Sequence, residues 1–99
     1  MNIRIQSVNF KADQKLLEFT ENRLNKLSRF FDRIERIEVI MKADKPSIMD
    51  NKNVEVKIAV PGDDIVIKKK SNTFEDAVNQ IIPVAKTTLV KHKEKLRNQ

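Results

Sequence analysis

Apolar and polar positions alternate at the start of the chain, where Ile3 and Ile5 are interleaved with Asn2, Arg4 and Gln6. This pattern predicts a short strand with one buried face. The period then changes. Asp13 can cap a helix by accepting N–H bonds from its first turn. From Leu16 the covered positions run Leu16, Thr20, Leu24, Leu27 and Phe31, one continuous helical face. At 100° per residue, Lys11, Lys15, Lys26, Arg29 and Arg33 fall opposite that face. Alternation returns at Ile37, Val39 and Met41, and a loop is predicted over residues 45–52. The cleanest strand of the chain follows, with Val54, Val56, Ile58 and Val60 alternating with Glu55, Lys57 and Ala59. Pro61-Gly62 supplies the fixed φ and the positive φ of a type II turn, and Ile65 and Ile67 return as a fourth strand.

Thr73-Phe74-Glu75-Asp76 has the spacing of a capping box and opens a long second helix. Its apolar face runs through Phe74, Val78, Ile81, Ile82, Ala85, Leu89 and Leu96. Pro83 removes one donor within this helix and predicts a kink, on the side away from the stripe. The order is therefore β-α-β-β-β-α. A helix between the first two strands implies a parallel pair, and the shorter links imply antiparallel ones. The expected fold is α+β: a four-stranded mixed sheet in order 1-2-3-4, with both helices packed on one face, similar to double-stranded-RNA-binding modules. Ninety-nine residues suit one domain, taken as residues 1–99.

Composition narrows the function. Twenty Lys and Arg stand against fourteen Asp and Glu, a net charge of +6 that favours polyanionic partners. Cysteine is absent, which excludes thiolate chemistry and disulfides and fits a reducing compartment. The first residues lack a signal peptide's apolar stretch and no run suits a membrane span, so a cytoplasmic protein without a membrane partner is expected. With one glycine in the chain there is no Gly-rich phosphate loop, and no nucleophile–His–acid set is evident. The chain therefore reads as a non-enzyme with no cofactor and no small-molecule substrate. A hydrolase built on Asp63 and Asp64 is the enzymatic alternative. Asp44, Asp63 and Asp64 suit turns rather than a metal, and His92, the lone histidine, falls on the apolar stripe, so no metal site is expected.

The cations are patterned. Lys86, Lys91, Lys93, Lys95 and Arg97 crowd the end of the second helix, with Glu94 opposing them. Helix polarity explains two or three of the five; a polyanion contact explains the whole group. On the first helix the stripe has Arg23 on its flank, and Glu18 and Glu21 lie toward one side. Two basic ridges with a furrow between them would suit a phosphate backbone. Lys68-Lys69-Lys70 closes the fourth strand, where one lysine should turn inward and snorkel; the run suits the guarding of a sheet edge, with direct nucleic-acid contact as the alternative. None of the five Phe falls within a predicted strand, so base stacking on the sheet is not expected.

Lys26-Leu27 followed by Phe30-Phe31-Asp32-Arg33-Ile34, the opening Thr73-Phe74-Glu75-Asp76-Ala77 and the tail His92-Lys93-Glu94-Lys95-Leu96-Arg97 resemble the ribosome hibernation promoting factor family in its short form. The related ribosome-associated translation inhibitor shares the likeness, which spans essentially the whole chain. The resemblance implies a monomer that binds the small ribosomal subunit through 16S ribosomal RNA. It would occlude the channel of messenger and transfer RNA, and so hold idle ribosomes inactive. Arg23, Lys26, Lys91, Lys93, Lys95 and Arg97 match the family's basic positions; Arg29 and Lys86 join them from the stripes above. The chain departs from the family at Val84 and Thr87, where basic residues are usual, and at Pro83. Lys68-Lys69-Lys70 is more basic than the small residues expected there. A general structured-RNA-binding module is the alternative reading.

Overall fold

The computed structural model describes residues 2–97, so the outermost residues of the expected 1–99 domain lie outside the described residues. Its elements follow the order read from the sequence: β1 (Asn2–Val8), α1 (Gln14–Asn25), a 3-10 turn (Lys26–Arg29), β2 (Arg36–Ala43), β3 (Lys52–Val60), β4 (Asp63–Ser71) and α2 (Phe74–Arg97). The sheet order is β1-β2-β3-β4, with β1 and β2 parallel and the other pairs antiparallel.

Register aligns the apolar positions in rows across the strands. Ile3, Ile37, Ile58 and Ile65 form one row, and Ile5, Val39, Val56 and Ile67 the next. These side chains share a single core with Leu16, Leu24 and Leu27 of the first helical segment and with Val78, Ile81, Ala85 and Leu89 of α2. The intervening strand positions, such as Arg4, Ile40, Lys42, Val66 and Lys70, are exposed. A sheet covered on one side only places both helices on that side. Each Leu or Ile taken fully out of water contributes about 1.5–3 kcal/mol, and one contiguous core holds all these elements together.

The caps form as expected, with one difference. The Leu16 N–H donates to Asp13 Oδ1 at 2.9 Å, and the Asp76 N–H donates to Thr73 Oγ1 at 3.0 Å. The Asp76 carboxylate does not return the bond. It accepts instead from the Ser71 hydroxyl and from Gln80 Nε2, and these bonds, Ser71's foremost, hold its pKa below the ordinary 3.8. A carboxyl whose pKa is lower folded than unfolded stabilises the fold above 3.8, and that stability fades as pH falls through the lower native value. Asp76→Asn should therefore flatten the acid limb of stability in urea titrations run at descending pH. Equal acid sensitivity in the two proteins would disprove the linkage.

The first helix is shorter than its apolar stripe implied. The α-helix ends at Asn25, the chain tightens into a 3-10 turn, and Arg33 lies beyond it. Lys11 precedes the helix, so it too leaves the expected stripe. The Ser28 hydroxyl caps the Asn25 carbonyl at 2.9 Å, and the Phe30 N–H donates to the Leu27 carbonyl at 3.0 Å. These local bonds end the helix without a glycine. Leu27 and Phe31 are still buried, so the core face survives the change of helix type. Elsewhere the chain behaves as its local chemistry requires. Gly62 takes φ +80 in the β3–β4 turn, and α2 continues through Pro83, whose ring lies on the exposed side.

Candidate nucleic-acid interface

Two helices lying on one sheet face leave a furrow between them, and its walls carry cations. Phe19, Arg23, Lys26 and Phe30 recur at spacings of four, three and four residues, so they share one flank of the first helical segment. Phe30 identifies that flank as the one toward α2, because Lys86 Nζ sits 4.8 Å from its ring centroid. Arg23 is held in the same way, with its guanidinium carbon 4.8 Å from the Phe19 centroid. Its Nε is covered and meets no acceptor among the described residues. Each aromatic face attracts its cation by about 0.5–1 kcal/mol and restrains a long side chain that would otherwise sweep through solvent.

The 3-10 turn shapes the lower wall. With three residues per turn, residues i and i+3 eclipse, so Lys26 and Arg29 stand one above the other. Both are exposed. Glu18 and Glu21 point from the other flank of α1, which leaves the furrow side positive.

Structure divides the basic end of α2 into two groups. At 100° per residue, Lys86, Lys93 and Arg97 lie within about 40° of one another, on the flank that meets Phe30. Lys93 and Arg97 border a recess of about 210 Å³ with Phe31, Asp32 and Arg33, so Arg33 rejoins the basic group despite leaving the helix. Lys91 and Lys95 fall on the other flank. Lys91 there borders a surface made of Pro83, Val84, Thr87 and Thr88. Of the eight candidate residues, then, Arg23, Lys26, Lys86, Lys93 and Arg97 line the furrow side. Arg29 extends it, and Lys91 and Lys95 form a separate ridge.

The aromatic platforms were missed in the sequence. The Phe19–Arg23 pair carried a signal in its i,i+4 spacing. Phe30 and Lys86 meet only because the helices pack side by side, so no local spacing could reveal them. Phe30→Leu keeps the bulk and removes the ring face beneath Lys86. It should weaken RNA binding several-fold while leaving the melting temperature nearly unchanged, which fluorescence anisotropy and thermal denaturation together would establish.

The remaining expected positions are occupied by structural contacts. His92 is half-buried and meets Phe31 edge-on, with centroids 5.4 Å apart. Asp64 pairs with Lys57 at 3.6 Å and its N–H donates to Asp63 Oδ1. Lys69 lies on the helix side of β4 and is partly covered, the inward lysine of the three. None of the four strands contributes an aromatic ring.

The chain can be compared with known proteins on this footing. Ribosome hibernation promoting factor from Escherichia coli K12 is 27% identical over 97 residues, 98% of each chain. The factor of the same name from Pseudomonas putida is 26% identical over 95 residues, covering 96% of this chain and 89% of the relative. In fold, the chain is similar to a ribosomal subunit interface protein from Coxiella burnetii, with a TM-score of 0.84 at 24% identity over 95% of this chain and 99% of that one. It is also similar to the N-terminal domain of Thermus thermophilus Protein Y, with a TM-score of 0.78 at 16% identity over 93% and 99% of the two chains. The model of the Sigma 54 modulation protein / S30EA ribosomal protein family matches residues 3–97, and the chain belongs to that family.

Proposed function

We propose that this protein is a ribosome hibernation factor that binds the small subunit through 16S ribosomal RNA and blocks the channel of messenger and transfer RNA. The observation that carries the reading is the furrow, where Arg23 and Lys86 are each held against an aromatic ring with further cations on the same flank. A phosphate backbone lying there replaces several condensed counterions at once, which gives affinity without reading bases. The half-buried Arg23 would offer the terminal nitrogens of its guanidinium, since an arginine fork suits phosphate oxygens.

The mechanism is occlusion. A sheet with one covered face is a stiff platform, and nothing in it needs to move or turn over. A rigid body in the channel blocks what it displaces, so inhibition reverses when the protein leaves. The relatives named as hibernation promoting factors support the ribosome as the partner. The test is cosedimentation with purified small subunits, followed by transfer-RNA binding and cell-free translation on the same particles. Binding with loss of transfer-RNA occupancy is expected. Binding that leaves both transfer-RNA occupancy and translation untouched would overturn occlusion, and equal affinity for any RNA duplex would favour a general RNA-binding module.

A further inference from the structure

The open face of the sheet carries charge that the furrow does not use. At one corner, Lys42 of β2 pairs with Asn53 of β3, and Asn53 with Lys70 of β4. β2 and β4 lie two inter-strand spacings apart, roughly 10 Å, so the two ammonium groups can flank a strand of phosphates. Between them lies a shallow depression of about 450 Å³, bordered also by Ile40, Lys68 and Asp44. Lys45 stands exposed in the adjoining loop.

Of the acids nearby, Glu55 is paired with a cation, whereas Asp44 bonds a neutral amide and keeps its charge, outnumbered by the lysines around it. Asp44 Oδ2 accepts from Asn53 Nδ2 at 2.6 Å, and Glu55 pairs with Lys68 at 3.3 Å. Lys42, Lys45 and Lys70 have no carboxylate partner among the described residues. The loop is tied at its base, with the Asp44 N–H donating to the Asn51 carbonyl at 2.8 Å and Asn51 Nδ2 to the Asp44 carbonyl at 3.3 Å. The corner is thus a positive patch on a braced support, facing away from the helices.

We infer that the Lys42–Lys70 corner is a second RNA-backbone contact, so that the domain holds one RNA segment in the helix furrow and another on its open sheet face. The inference rests on the hibernation reading for its partner, and charge complementarity selects RNA. It also assigns a use to the basic end of β4. A domain only 18 Å across its thinnest dimension can bridge two RNA segments that approach within a channel.

The test is the double variant Lys42→Gln with Lys70→Gln, which keeps most of each side chain and removes two exposed charges. Cosedimentation with small subunits is measured over a range of salt, with hydroxyl-radical footprinting of 16S ribosomal RNA. Because each phosphate contact contributes about 0.7–0.9 to the slope of log K against log salt, the slope should fall by about 1.5. One subset of the footprint should vanish while the furrow's subset persists. An unchanged slope and footprint would sink the inference. So would weaker binding to intact subunits with unchanged binding to protein-free 16S ribosomal RNA, because the two lysines would then be meeting a ribosomal protein. Both proteins are also titrated with a plain RNA duplex. If the wild type ignores small subunits, the hibernation reading fails; a duplex slope that still falls in the variant retains the corner as an RNA contact, and one that does not fall removes it.

Discussion

Reversing charge on the two walls of the furrow, Arg23→Glu with Lys86→Glu, should abolish cosedimentation with small subunits and relieve inhibition of translation. Each of these cations is held in place by a ring, so its contact with phosphate costs little further ordering. A hydrogen bond to a charged group contributes about 1.5–3 kcal/mol, so loss of two lowers affinity by roughly a hundredfold to ten-thousandfold. The reversed charges add repulsion. Lys86 is exposed and Arg23 half-buried, so the variant should keep its circular dichroism spectrum and melt cooperatively. Glu18→Gln, on the far flank of α1, is the matched control and should leave binding unchanged. Near-normal affinity in the double variant would mean that RNA is held elsewhere, with the separate ridge of Lys91 and Lys95 the next place to look.

The second large effect is on stability. Leu24 is fully buried within the core shared by α1, α2 and the sheet. Leu24→Ala removes its apolar contacts and leaves a cavity that a rigid sheet fills poorly, at a cost of about 2–5 kcal/mol. Domains of this size hold only about 5–15 kcal/mol in total. A loss near 3 kcal/mol should lower Tm by roughly 12–24 °C, measured by calorimetry. Val66→Ala, on the open face with 51% of its surface exposed, should change stability by less than about 0.5 kcal/mol. If the two substitutions cost the same, the sheet does not have one buried and one open face.

These predictions draw on different amounts of the sequence. The strands were legible because a side-chain period of two is local: Val54, Val56, Ile58 and Val60 read as one buried face, and that is where they lie. Asp13 and Thr73 act through neighbours three residues away, so their caps could be read in the same manner. Pro61-Gly62 states its turn in two residues. The parallel β1–β2 pair also followed, because a helix between strands constrains how the second can return.

Other features needed the assembled core. The apolar stripe from Leu16 to Phe31 keeps its face buried whether the last turn is α-helical or 3-10, so hydrophobic spacing alone did not mark the change at Asn25. Likewise, crowding five cations at the end of α2 says nothing of which flank will meet another helix. Packing against β3, β4 and α1 sets the rotation of α2, and that rotation turns Lys86, Lys93 and Arg97 to the furrow and Lys91 and Lys95 away from it. Phe30 becomes a platform for Lys86, and Lys42 a neighbour of Lys70, only after distant segments pack. Periodicity reports which side of an element is covered; only the tertiary structure decides what covers it, because that depends on the joint burial of every apolar face in the chain.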